Sequence, residues 1–161
     1  MPMPTPITEV LIMSNQPTLQ DRRDLEDALL AYLTAVDGMD DLDAMAAVFT
    51  EDAVLDLSGL DLGVYEGAAA IRAFYAGVFE TMSHHMHTMT NFRVTEFGGD
   101  TARCYAYICG MGRSKQGIDI QVYVYYDLQM RRTSSGWRIA HFYEAPKLPM
   151  PDSVGQVHKD K

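Results

Sequence analysis

Apolar residues fall at helical spacing in the first half of the chain, whereas the second half has the composition of strands separated by turns. Leu25, Leu29, Tyr32, Leu33 and Val36 share one helical face behind Thr18-Leu-Gln-Asp21, a capping-box arrangement. The spacing predicts a helix from about Thr18 that Gly38 terminates just past its end. Asp40 or Asp41 can cap a second short helix with Leu42, Met45 and Phe49 on one side. Ala53 to Leu57 reads as a strand, Gly59 to Gly63 as a turn-rich link, and Ala68 to Met82 as a third helix burying Ile71, Phe74, Val78 and Met82.

Beyond that helix, His84 to Phe97, Thr101 to Arg113, Ile118 to Thr133 and Trp137 to Glu144 read as strands, separated by turns at Gly98-Gly99-Asp100, Ser114 to Gly117 and Ser134 to Gly136. Helices first and hairpin-linked strands afterwards predict an α+β fold with an antiparallel sheet, not alternating βαβ units. Residues 1–17, with four prolines, read as a loose tail, 18–145 as one domain, and 146–161 as a Pro-rich, polar and mobile arm.

Composition adds limits. A chain of 161 residues, 47% hydrophobic and 22% charged, suits one globular domain. No stretch reaches the run of about 18 apolar residues that a membrane span needs. Met1 to Ile7 has neither the basic region nor the apolar core of a secretory signal, so the expectation is a cytoplasmic protein. The net charge is −9, placed unevenly: −12 over residues 1–66 and +3 over 67–161. An acidic first half argues against a nucleic-acid partner, whose groove needs clustered Lys and Arg. Cys104 and Cys109, five residues apart in one strand, would be about 16 Å apart on opposite faces, which excludes a disulfide between them.

The chemistry concentrates in His84-His85-Met86-His87. In a strand, His85 and His87 share a face with Met89, Asn91 and Arg93, while His84 points the other way. Such a face is too polar for a plain sheet core, so it is either solvated or lines a pocket. Asp37 falls one residue beyond the apolar stripe, at a helix C-terminus where the dipole disfavours a carboxylate. Tyr32 by itself reads as core. Two ligands on one strand face, His85 and His87, with Asp37 as a third, are the alternative metal reading; the preferred reading has no metal. No Gly-rich phosphate loop or nucleophile elbow is present in the sequence.

The series Tyr32…Asp37-Gly38, Phe49-Thr-Glu-Asp52-Ala-Val, Tyr65-Glu-Gly67, His87-Thr-Met-Thr-Asn91 and Gly136-Trp137-Arg-Ile resembles the SnoaL-like branch of the nuclear transport factor 2-like superfamily. The resemblance spans about Asp21 to Glu144 and extends to scytalone dehydratase, lindane dehydrochlorinase and bile-acid dehydratase. It implies a curved antiparallel sheet wrapped by three N-terminal helices into a cone around an apolar pocket. It also implies that Asp37 and His87 meet inside the cone, with His85 as the rival histidine and Tyr32 binding and polarising the substrate. A second pocket histidine of scytalone dehydratase falls near Gln121 here, and the dehydrochlorinase arginine near His141-Phe142, which points away from a halide leaving group.

The implied reaction is a cofactor-independent elimination of water from a hydrophobic cyclic hydroxy-carbonyl compound. His87 would take a proton next to the carbonyl and return it to the departing hydroxyl, while Asp37 sets its tautomer. Tyr32, or the strand phenols Tyr105, Tyr107, Tyr123 and Tyr125, would hydrogen-bond the carbonyl, and His85, Asn91 and His141 complete the expected substrate wall. An allylic ketone isomerase and a non-catalytic binding protein remain the alternatives on the same fold. Relatives assemble as dimers or trimers, so a homodimer or homotrimer without a membrane partner is expected.

Overall fold

The computed structural model describes residues 16–159. In chain order the elements are α1 (Leu19–Gly38), α2 (Leu42–Ala47), β1 (Phe49–Asp56), a 3₁₀ turn (Ser58–Leu60), β2 (Val64–Glu66), α3 (Ala68–Thr81), β3 (Met82–Phe97), β4 (Thr101–Ser114), β5 (Asp119–Thr133), β6 (Gly136–Pro146) and α4 (Asp152–His158). The expected tail at 1–17 lies, except for Gln16 and Pro17, outside the described residues.

Helix α1 starts as its sequence dictates. The Asp21 N–H donates to the Thr18 hydroxyl at 3.0 Å and the Thr18 N–H to the Asp21 carboxylate at 2.9 Å, closing the capping box. Its buried stripe is Leu25, Leu29, Tyr32, Leu33 and Val36. The left-handed closing residue is Met39 (φ 54°), one beyond the expected Gly38, and the Met39 side chain packs against Val78, Met82 and Val157, a gap glycine would leave empty. Asp41 caps α2 by accepting from the N–H groups of Asp43 and Ala44, both at 2.9 Å. Phe49 opens β1 instead of extending α2, and its ring sits 6.0 Å from that of Tyr32 in the core.

Six strands form one curved, unclosed sheet in the order β2-β1-β6-β5-β4-β3. The hairpin-linked pairs are antiparallel as expected, but β1 runs parallel to β6, so the sheet is mixed. The chain leaves β1, crosses α3 and the β3–β5 meander, and returns beside β1 in the same direction. β2 is three residues long, too short to show an alternation in the sequence, and pairs only with β1. The inner face of β4 and β5 carries Cys104, Ala106, Ile108, Val124, Tyr126 and Leu128, all buried. Cys109 faces the other side, and both cysteines are free thiols.

The C-terminal arm also differs from expectation. Residues 152–158 are helical, and α4 buries Val154 and Val157, three residues apart on one face. Lys159 pairs with Asp61 at 2.5 Å, tying the end of α4 to the loop before β2. No helix among the described residues is long and apolar enough to cross a membrane.

Two of the sheet's register shifts decide which of the expected site residues face inward. Thr90 pairs with Tyr107 and Arg93 with Tyr105, so Asn91 and Phe92 together oppose Ala106. Asn91 takes φ 57°, a left-handed conformation that asparagine tolerates better than branched residues. On β6, Gln129 pairs with His141 and Met130 with Ile139, leaving Ala140 as the surplus residue. Replacing Asn91 by Gly should leave stability almost unchanged, whereas Asn91→Val should cost about 1–2 kcal/mol, measured by urea unfolding. Equal costs for the two variants would mean that the bulge is not held by this backbone conformation.

Candidate active site

The end of α1 meets the start of β3 through two histidines. The His87 ring nitrogen Nδ1 lies 2.5 Å from Asp37 Oδ1, and the His87 backbone N–H donates to Asp37 Oδ2 at 3.0 Å. One turn of strand earlier, His85 Nδ1 lies 3.0 Å from the carbonyl oxygen of Val36. A carbonyl and an ionised carboxylate only accept, so both imidazoles carry their proton on Nδ1 when neutral. That leaves both Nε2 atoms as free acceptors. Burial alone would raise the Asp37 pKa, but the hydrogen bonds from the His87 ring and backbone outweigh it and hold the carboxyl below its usual range. Burial pushes the His85 pKa down, more than its bond to Val36 raises it, so His85 stays neutral. The His87 and Asp37 side chains keep 15% and 27% of their surface, so the pair is largely but not wholly dry.

Room for the rings comes from β4. Gly110 and Gly112 are the cross-strand partners of His87 and His85. A Cβ at Gly110 would sit 3.3 Å from His87 Nε2, and one at Gly112 only 2.9 Å from His85 Cδ2. Two glycines two residues apart inside a strand were the available sequence signal for this close approach.

Both histidines border a cavity of about 110 Å³. Apolar walls come from Val36, Leu57, Phe74, Val122 and, beside α4, Met150 and Val154. The polar part is formed by Tyr32, Tyr75, Tyr126 and Glu144. The Tyr32 and Tyr75 hydroxyls are 2.8 Å apart and Tyr126 also bonds Tyr32, so the two bonds use two of the three phenol protons and leave one for a ligand. Burial holds all three phenols well above the ordinary tyrosine pKa, so they remain neutral donors.

The sequence-predicted residues thus divide. Tyr32, His85 and His87 line the cavity, with Asp37 directly behind His87. Asn91 does not: the bulge turns it outward and exposes it. His141 also points away from the cavity, because the surplus Ala140 gives the inward positions to Phe142 and Glu144. Tyr107, Tyr123 and Tyr125 lie on the outer sheet face, opposite the inward Ile108, Val122 and Val124. Lys147 sits 4.9 Å above the Tyr107 ring, and Tyr105 stacks on Tyr125 at 5.2 Å. Gln121 is outside as well, bonded to the Tyr123 hydroxyl. Among the described residues, no group of three His, Cys, Asp or Glu is placed to hold a metal.

A family model described as SnoaL-like domain matches residues 17–143. The chain belongs to the SnoaL-like family. A 1.75 Å crystal structure of a protein from Novosphingobium aromaticivorans, provisionally assigned as an aromatic ring hydroxylase, is 44% identical to this SnoaL-like chain, with a TM-score of 0.83 over 84% of this chain and 95% of that one. A protein of the same species, provisionally assigned as a scytalone dehydratase, superimposes at TM-score 0.74 with 17% identity, over 81% of this chain and 86% of its own. A type 2 hexachlorocyclohexane dehydrochlorinase does so at 0.71 with 18% identity, over 81% and 87%. At those identities the last two show the shared fold. No curated protein sequence matches the chain.

Glu144, like Tyr75 and Tyr126, is a wall residue that the sequence reading passed over. It keeps some free surface, and it borders the cavity of the SnoaL-like domain, where burial raises its carboxyl from 4.5 to about 8. Between those values the unfolded chain has given up a proton that the folded protein still holds, so stability falls as pH rises through the window. Glu144→Gln removes this loss. Its melting temperature should exceed that of the wild type by a margin that grows from about pH 5 to about pH 8 and then levels off. A margin independent of pH would show that Glu144 is hydrated and titrates normally.

Proposed function

We propose that this SnoaL-like protein is a cofactor-independent lyase of the dehydratase type, removing water from a hydrophobic cyclic hydroxy-carbonyl compound. The observation that carries this reading is the Asp37–His87 pair at the wall of an apolar cavity, with Nδ1 held by the carboxylate and Nε2 making no hydrogen bond to a described residue. A neutral imidazole so held is a base suited to neutral pH, and Asp37 stabilises the imidazolium that forms. The oxyanion developing on the carbonyl needs a donor in a dry site. The spare proton of the Tyr32, Tyr75 and Tyr126 cluster supplies one. Fold relatives named for dehydration and dehydrochlorination are consistent with an elimination on this scaffold.

The cavity bounds the substrate. Its volume of about 110 Å³ is below the about 150 Å³ that suffices for benzene in an apolar protein cavity. A single ring therefore needs some displacement of the wall, and the short α4 with Met150 before it is the part held by the fewest strands.

The relative with 44% identity motivates a second reading, hydroxylation of an aromatic ring. Such chemistry activates dioxygen at a flavin or a metal. The residues do not fit either group. The cavity is too small for a flavin ring system, and among the described residues no group of three His, Cys, Asp or Glu is placed to hold a metal. No step through such a group is derived.

The test uses cyclohexanone in deuterated water, with mass spectrometry following exchange of the protons next to the carbonyl. Wild type should catalyse exchange, His87→Ala should lose it by about 10²- to 10⁴-fold, and Asp37→Asn should lose part of it. Exchange that persists in His87→Ala but disappears in His85→Ala would transfer the base role to His85. A wild-type protein that binds cyclic ketones without exchanging any proton is a binding module.

A further inference from the structure

A mechanism that removes hydroxide from carbon needs an acid as well as a base, and His87 is at one end of the site. Glu144 lies on β6, three strands from β3 in the sheet order, or about 14 Å along the sheet at roughly 4.8 Å per strand. The curvature of the sheet turns both side chains onto the same cavity. A ligand between them would have the imidazole on one side and the carboxyl on the other.

Glu144 differs from the paired carboxylates of the molecule. Asp37, Asp52, Asp61, Asp119 and Asp127 each accept a hydrogen bond from a cation or a histidine. The Glu144 carboxyl makes no hydrogen bond or ion pair to a described residue, although it faces a wall of phenols. It borders the cavity together with Tyr32, Tyr75 and Tyr126. A carboxyl that faces a largely apolar cavity without a protein partner loses part of its hydration, which is costly and seldom kept without use. At neutral pH it holds its proton.

Resting on the elimination reading above, we propose that Glu144 is the catalytic acid, delivering its proton to the departing hydroxyl while His87 removes the proton from carbon. The step balances. The C–H pair becomes the new C=C bond, the C–O bond breaks, and its oxygen leaves as water carrying the Glu144 proton. His87 is left as imidazolium and Glu144 as carboxylate, and solvent returns the proton from one to the other once product departs. The arrangement also selects substrates. A neutral hydroxyl is welcome at this end of the cavity, and an anionic group is not.

The test compares two leaving groups on one ring. Elimination from 3-hydroxycyclohexanone requires protonation of the departing oxygen, whereas elimination of acetate from 3-acetoxycyclohexanone does not. Both reactions give cyclohexenone, followed by its ultraviolet absorbance. Glu144→Gln should lose the hydroxyl reaction by about 10²- to 10⁴-fold and the acetate reaction by far less. His87→Ala should lose both alike. An infrared difference spectrum of wild type against Glu144→Gln should carry the C=O stretch of a neutral carboxylic acid at neutral pH. Equal losses for the two leaving groups, or no such band, overturn the acid role and leave the elimination reading standing. A wild type that eliminates neither group sinks the elimination reading and the acid role with it.

Discussion

The carboxylate of Asp37 joins the helical layer to the sheet, and the site depends on that joint. One oxygen takes the ring N–H of His87 and the other its backbone N–H, so the strand is held in position and the ring in orientation by a single side chain. The neighbouring Val36 carbonyl, one of the acceptors that a helix end leaves unsatisfied, is taken by His85. Consecutive residues of α1 thus address alternate residues of β3. The far end of α1 is anchored too, by Arg132, which bonds Asp21 at 3.0 Å while stacking 4.4 Å above Trp137. A helix fixed at both ends keeps its last turn, and with it the imidazole, in one place. The negative end of the helix dipole favours a positive charge on that imidazole once it has taken a proton.

Around this joint the cavity sorts its polar groups by charge. The carboxylate that must be ionised has two N–H donors, while the carboxyl that stays neutral has none. Three phenols and His85 are kept uncharged by burial. Different environments give chemically similar side chains opposite protonation, so base and acid can coexist at one pH.

Much of the fold was legible in the sequence because local rules decide it. Helical spacing placed α1 and α3, Thr18 announced the cap of α1 and Asp40 or Asp41 that of α2, and glycine-rich turns separated the long strands. The Asp37–His87 contact spans fifty residues and has no local signature; it was reached through family resemblance. Strand alternation failed where a bulge broke it. Asn91 was assigned inward by counting twos and His141 by its place in the family resemblance, and each lies just past the point where the register slips. Tyr107, Tyr123 and Tyr125 misled for another reason: the middle of the outer face of β4 and β5 is aromatic, so composition there does not tell inside from outside. The parallel β1–β6 pairing needed knowledge of where the chain returns, and α4 was obscured by the prolines before it.

The surplus residue at Ala140 has a meaning for descent as well as for shape. Two residues of β6 there occupy the space of one on β5, so the strand could lose Ala140 and become regular while Ile139, Phe142 and Glu144 kept facing inward. Length variation among relatives can therefore accumulate at this point without disturbing the wall of the cavity. An alignment that matches residues by number alone across it would set Glu144 against an outward neighbour, and would hide the residue that a superposition of backbones brings into register.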